Sequence, residues 1–237
     1  MSHFSVAVIH RCDTTIEEML APYDENIRVA PYVRFTRQEA IDYARKNYDG
    51  YADRPDSECY DAVAEDYIAE SMVDEEGNLY SRYNPNSKFD WYCVGGRFSG
   101  LLKTKDGEEC DDEFIRELDF SPDKDAHKRA LRFWDVVVDH APLAFGEQQE
   151  DFRTIYSEDY FREYYKTREN YANIMSSFST YAVITPNGVW HGKGEMGWWG
   201  FSSENPEEFR KWHETYMERF INHTDPYMKI TIVDCHI

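Results

Sequence analysis

Apolar positions mark out two strands at the ends of the chain. Over residues 4–9, Phe4, Val6 and Val8 point one way, while His3, Ser5, Ala7 and Ile9 point the other. Residues 228–233 read as the final strand. Its extension places Asp234 and His236 on the face that carries Ile230 and Ile232. Between these ends, 88–94 reads as a strand broken by Gly95-Gly96, with 97–104 as its other arm, closed by Asp106-Gly107. Val136-Val137-Val138 favours a strand over 134–139. Residues 179–184 and 189–191 read as a hairpin about Pro186-Asn187-Gly188.

Helix starts are signalled by capping chemistry. Thr14-Thr15-Ile16-Glu17 opens a short helix ending near Leu20, and Thr36-Arg37-Gln38-Glu39 opens one to about Asn47. Ser57 caps 58–71, 111–118 reads as a short acidic helix, and Ser121-Pro122-Asp123 starts one to about Arg132. A helix follows over 157–174. Asn205-Pro206-Glu207-Glu208 then supplies an N-cap, a first-position proline and first-turn acids for a helix to about Asn222.

This pattern predicts an α+β fold as a single domain over residues 1–237. Its sheet is mostly antiparallel or mixed and includes both terminal strands as neighbours, with helices on one face. The segment at about 27–87, helical, acidic and Tyr-rich, reads as an insertion beside that sheet.

Composition narrows the function. The 237 residues carry 26 basic and 46 acidic side chains, a formal charge of −20, which repels nucleic-acid backbone and excludes a general nucleic-acid binder. Aromatics reach 16 %, so the core is expected to be rich in half-buried rings. The five cysteines, Cys12, Cys59, Cys93, Cys110 and Cys235, form no CxxC and no regular spacing, which argues against disulfides and zinc. No apolar run is long enough for a membrane span, and the start lacks a signal-peptide pattern. The expected setting is a reducing cytoplasm.

Three places carry candidate chemistry. Gly95-Gly96-Arg97 reads either as a backbone nest and guanidinium that hold a phosphate or carboxylate, or as a bulge with Arg97 in a salt bridge. If the end strands pair, His236 lies near His3. With Asp234 these side chains suit acid–base work, ligand contact or a metal, against the plainer reading of a frayed terminus with His236 hydrogen-bonded to a carbonyl. Trp198-Trp199 offers either a stacking ring, with Trp91 as a second, or two packed rings under a loop. Cys93 and Cys235 read as inert core thiols, and the acids at 111–113 and 74–76 as solvated helix ends. No HExxH, Walker loop, dinucleotide fingerprint or nucleophile elbow is present in the sequence.

Several phrases belong together: Met1-Ser2-His3-Phe4, Leu20-Ala21-Pro22-Tyr23-Asp24-Glu25-Asn26, Asn84-Pro85-Asn86-Ser87-Lys88-Phe89-Asp90-Trp91-Tyr92, Gly95-Gly96-Arg97-Phe98-Ser99-Gly100, Met196-Gly197-Trp198-Trp199-Gly200 and Asp234-Cys235-His236-Ile237. As a set they resemble a family of uncharacterised bacteriophage and prophage proteins, over nearly the whole chain. The resemblance implies an accessory protein in a bacterial host cytoplasm, with an anti-defence role suggested by gene context. It carries over no catalytic residue.

Three functions follow as expectations. The first is binding of a small anionic, nucleotide-like ligand by Gly95, Gly96, Arg97, Trp198, Trp199, His3, Asp234 and His236, without a cofactor or metal. The second is an acidic inhibitor of a basic or nucleic-acid-binding host protein, using the helical segments at 36–71 and 157–174. The third is a hydrolase built on the His/Asp/His cluster.

Overall fold

The computed structural model describes residues 2–67, 72–196 and 202–237, which form two compact units, residues 1–20 with 91–237 and Ala21–Asp90. The first unit opens with β1 (His3–His10) and α1 (Ile16–Leu20). Thr15 rather than Thr14 caps α1: its hydroxyl accepts the Glu18 N–H, and the Glu18 carboxylate accepts the Thr15 N–H.

The second unit holds β2 (Tyr32–Phe35), α2 (Arg37–Asn47), α3 (Asp56–Tyr67) and β3 (Leu79–Ser81), with β2 antiparallel to β3. The Thr36–Glu39 capping box forms as its spacing requires. Small residues Ala40 and Ala44 of α2 let it approach α3, and with Ile41 they bury against Cys59, Tyr60 and Val63. The end of the helix expected over 58–71 lies partly outside the described residues, and α3 starts at Asp56, so Ser57 sits inside its first turn.

The first unit resumes with β4 (Trp91–Val94), β5 (Leu102–Lys103), β6 (Glu109–Cys110), β7 (Asp112–Phe114) and α4 (Lys124–Val137). There follow α5 (Glu158–Tyr164), α6 (Arg168–Ser176), β8 (Ala182–Ile184), β9 (Trp190–Gly192), α7 (Pro206–Phe220) and β10 (Lys229–His236). One mixed sheet runs β4-β10-β1-β8-β9, with β7 also on β10. The terminal strands β1 and β10 pair antiparallel over their full length, from His3 opposite His236 to His10 opposite Lys229. β8 lies parallel to β1, and β9 returns antiparallel.

Two features of the sheet differ from the sequence expectation. The 97–104 segment is not a return arm for β4. It leaves the sheet as a 3₁₀ turn over Gly96–Phe98, and β5 then pairs with β6 across the Asp106-Gly107 turn. Residues 112–114, expected as helix, instead rejoin β10 beyond β4. β4 and β7 are thus two halves of one edge strand, interrupted by an excursion from Gly96 to Cys110. Ile232 marks the junction: its carbonyl accepts the Gly95 N–H, and its N–H donates to the Asp111 carbonyl. An unpaired strand edge outweighs the weak helix preference of so short a segment.

α7 covers one face of the sheet. Its Asn205 capping box and Pro206 start it, and Phe209, Trp212, Tyr216 and Phe220 make a buried stripe. Trp212, Tyr216 and Phe220 pack with Ala7, Ile9, Ile230, Ile232 and Val183. A second cluster joins Ala130, Trp134 and Val138 to Tyr171 and Ala172. That packing explains why 134–137 stays helical despite Val136 and Val137: Ala130, Trp134 and Val138 share a helical face. Asp123 rather than Ser121 caps α4, two residues later than expected, accepting from the Asp125 and Ala126 N–H groups. The helix read over 157–174 is two helices, parted where Lys166 takes φ +66° and Thr167 caps α6. Among the described residues, no helix is long and apolar enough to cross a membrane.

Candidate functional site at the sheet edge

Register brings the terminal candidates together. On the face that α7 covers further along, His3, His236 and Trp91 form one row across β1, β10 and β4, and Ser5, Asp234 and Cys93 form the next. The face is therefore aliphatic under α7 and polar at its end.

Asp234 is the anchor. Its side chain is only 2 % exposed, and it accepts a hydrogen bond from His3 Nδ1 at 2.9 Å on Oδ1. Its Oδ2 accepts the Arg97 backbone N–H at 2.9 Å. A carboxylate can only accept, so Nδ1 of His3 carries the proton and Nε2 remains to accept one. The His3 ring meets the rings of Trp91 and His236 edge-on, at 5.5 and 5.1 Å between centroids. His236 is buried, and Trp91, 45 % exposed, stacks on it at 5.3 Å.

The glycines are needed here, for a different anion than expected. Gly96 has φ +56°, and a Cβ on it would lie 2.5 Å from Asp234 Oδ2 and 2.7 Å from Cys93 Sγ. The Gly95-Gly96-Arg97 turn thus wraps the protein's own carboxylate. The Arg97 guanidinium remains exposed and enters no ion pair among the described residues, which sets aside the salt-bridge reading. Asp111 fastens the far side of the turn, accepting from the Gly100 N–H at 2.7 Å and the Ser99 hydroxyl at 2.8 Å. It is a turn clamp, not the solvated helix end that its acidic neighbours suggested. Cys93 is half-buried beside Asp234, whereas Cys235 lies on the opposite face, where burial pushes its thiol up. Trp198 and Trp199 lie outside the described residues. No three His, Cys, Asp or Glu side chains among the described residues could share a metal ion.

A second polar cluster had no signal in the sequence. The Ser179 hydroxyl and His213 Nδ1 are 3.0 Å apart, and Lys193 pairs with Glu204 at 3.2 Å. His213 Nε2 is buried without a partner among the described residues. Its place four residues after Phe209, on the α7 stripe, makes it read as a core residue. Burial first, and Lys193 second, pull its imidazole down to about 4. The unfolded chain therefore binds a proton below pH 6.5 that the folded chain refuses, and stability falls as pH drops from 6.5 toward 4. About 2 kcal/mol is expected to be lost between pH 7 and pH 5 from this group. Urea titrations at the two pH values should show that loss in the wild type and a much flatter response in His213→Gln; equal slopes would refute the burial.

No protein-family model, curated protein or solved structure matches the chain. The functional reading therefore rests on the geometry of the sheet edge.

Proposed function

We propose that this chain is a phage-type accessory protein, acting in a bacterial cytoplasm, that binds a small anionic, nucleotide-like molecule where β4, β10 and β1 meet. The buried His3–Asp234 pair carries the reading. Sinking a carboxylate into a sheet is costly unless its oxygens are hydrogen-bonded. Here those bonds hold the His3 imidazole in one orientation, edge-on to an exposed indole. Arg97 offers a guanidinium for the anion, the outer face of Trp91 a stacking surface, and His3 and His236 polar contacts. Sequestering such a molecule from the host suits an anti-defence role.

A second reading at the same site is favoured by the orientation of His3. With Nδ1 held by Asp234, Nε2 is the atom that would take a proton from an attacking water, so acid–base hydrolysis of the bound molecule is the alternative.

A thermal-shift panel of nucleotides tests the binding. A true ligand at a hundredfold excess over Kd stabilises by ~2.7 kcal/mol, which for a chain of this size raises Tm by roughly 5–10 °C. Arg97→Glu and His3→Ala should remove the shift. If no nucleotide moves Tm, the reading fails. Turnover of the bound molecule by the wild type, lost in His3→Gln, would select hydrolysis over sequestration.

A further inference from the structure

A cavity lies away from the sheet edge. α4, α6 and the 3₁₀ turn Gln149–Phe152 line an open cavity of about 580 Å³, within the range that small ligands occupy. Its wall is aromatic: Phe152 and Tyr171 are buried, and Phe133 stacks on Tyr171 at 5.8 Å between centroids. None of His3, Arg97, Asp234 or His236 lines it, nor do they line a neighbouring cavity of about 720 Å³.

The charges around it are arranged unevenly. Its two lining acids are both engaged. Glu147 takes a two-point contact from Arg132 at 2.6 and 2.8 Å and accepts the Ala144 N–H at 2.7 Å. Asp151 accepts the Gln148 N–H at 3.1 Å. The cations are less committed. Arg129 is exposed and enters no ion pair among the described residues, and Lys128 has only an exposed contact to Asp125 at 3.3 Å. On a chain of net charge −20, this rim presents available positive charge over an aromatic wall. From this we infer that the cavity binds a flat aromatic anion, its ring against Phe133 and Phe152 and its acidic group at Arg129 and Lys128.

The probe is 8-anilinonaphthalene-1-sulfonate, followed by fluorescence and calorimetry on the full chain. One site per chain is expected. Arg129→Glu, which reverses a solvent-exposed charge, should weaken binding by roughly tenfold or more. Ala126→Phe, which adds a ring to the cavity lining, should abolish it, with the near-UV spectrum confirming a folded chain. His3→Ala should bind the probe as the wild type does, so this site and the sheet-edge site fail or stand separately. No binding up to millimolar probe, or full affinity in either folded cavity variant, overturns the inference.

Discussion

Trp212→Ala is expected to lower the stability of the protein by about 3–5 kcal/mol. Trp212 is 4 % exposed and sits at the centre of the α7 stripe, against Tyr216 and Phe220, with ring centroids 5.7 and 5.4 Å away. Its indole N–H also donates to the buried Thr180 carbonyl at 2.9 Å. The alanine variant loses the packing of a large ring, leaves a cavity over Ala7 and Ile232, and strips that carbonyl of its donor. Against a total stability of 5–15 kcal/mol for a typical domain, that is a large fraction. The urea midpoint should fall steeply with little change in slope. Val94→Ala, on an exposed strand position, should leave it nearly unchanged. A loss below about 1.5 kcal/mol at Trp212 would mean that α7 does not close the sheet as described.

The second large effect is at Gly96. A left-handed φ costs an alanine roughly 1–2 kcal/mol, and overpacking adds roughly 1–3 kcal/mol. The clash is with Asp234 and Cys93, so the turn must shift off the carboxylate it wraps. Gly96→Ala should therefore both destabilise the protein and remove the nucleotide-induced rise in Tm. Gly107→Ala is the matched control: its φ is +88°, but nothing stands within 4 Å of the added Cβ. That variant should show backbone strain alone and keep its ligand response. Equal behaviour of the two variants would show that Gly96 does not seat Asp234.

The terminal strands were legible because each carries a nearly continuous apolar run, which is buried on both faces of the sheet. The proximity of His3 and His236 follows from their antiparallel register. Individual caps at Thr36 and Asn205 were equally readable, since the capping bond is local. What the sequence hid was set by tertiary partners. Val136 and Val137 favour a strand in isolation, but the burial of Ala130 and Trp134 against α6 keeps that segment helical. Asp112–Phe114 becomes strand because β10 offers an unpaired edge. The Gly95-Gly96-Arg97 turn was read as a seat for an external anion or as a bulge, and the structure sets it around a carboxylate of the chain itself. That the carboxylate is Asp234, more than a hundred residues away, has no local signature. Neither has the role of Asp111 on the far side, nor the pairing of His213 with Ser179.

In the proposed function the His3–Asp234 pair serves a ligand. Long-range ¹H–¹⁵N spectra of the imidazoles, recorded through a titration with each nucleotide of the panel, address this directly. His3 should appear as the Nδ1-protonated tautomer, and the His3 and His236 signals should move together for at least one nucleotide while His213 stays still. An Nε2-protonated His3, or His3 and His236 signals unmoved by every nucleotide at millimolar concentration, would contradict it.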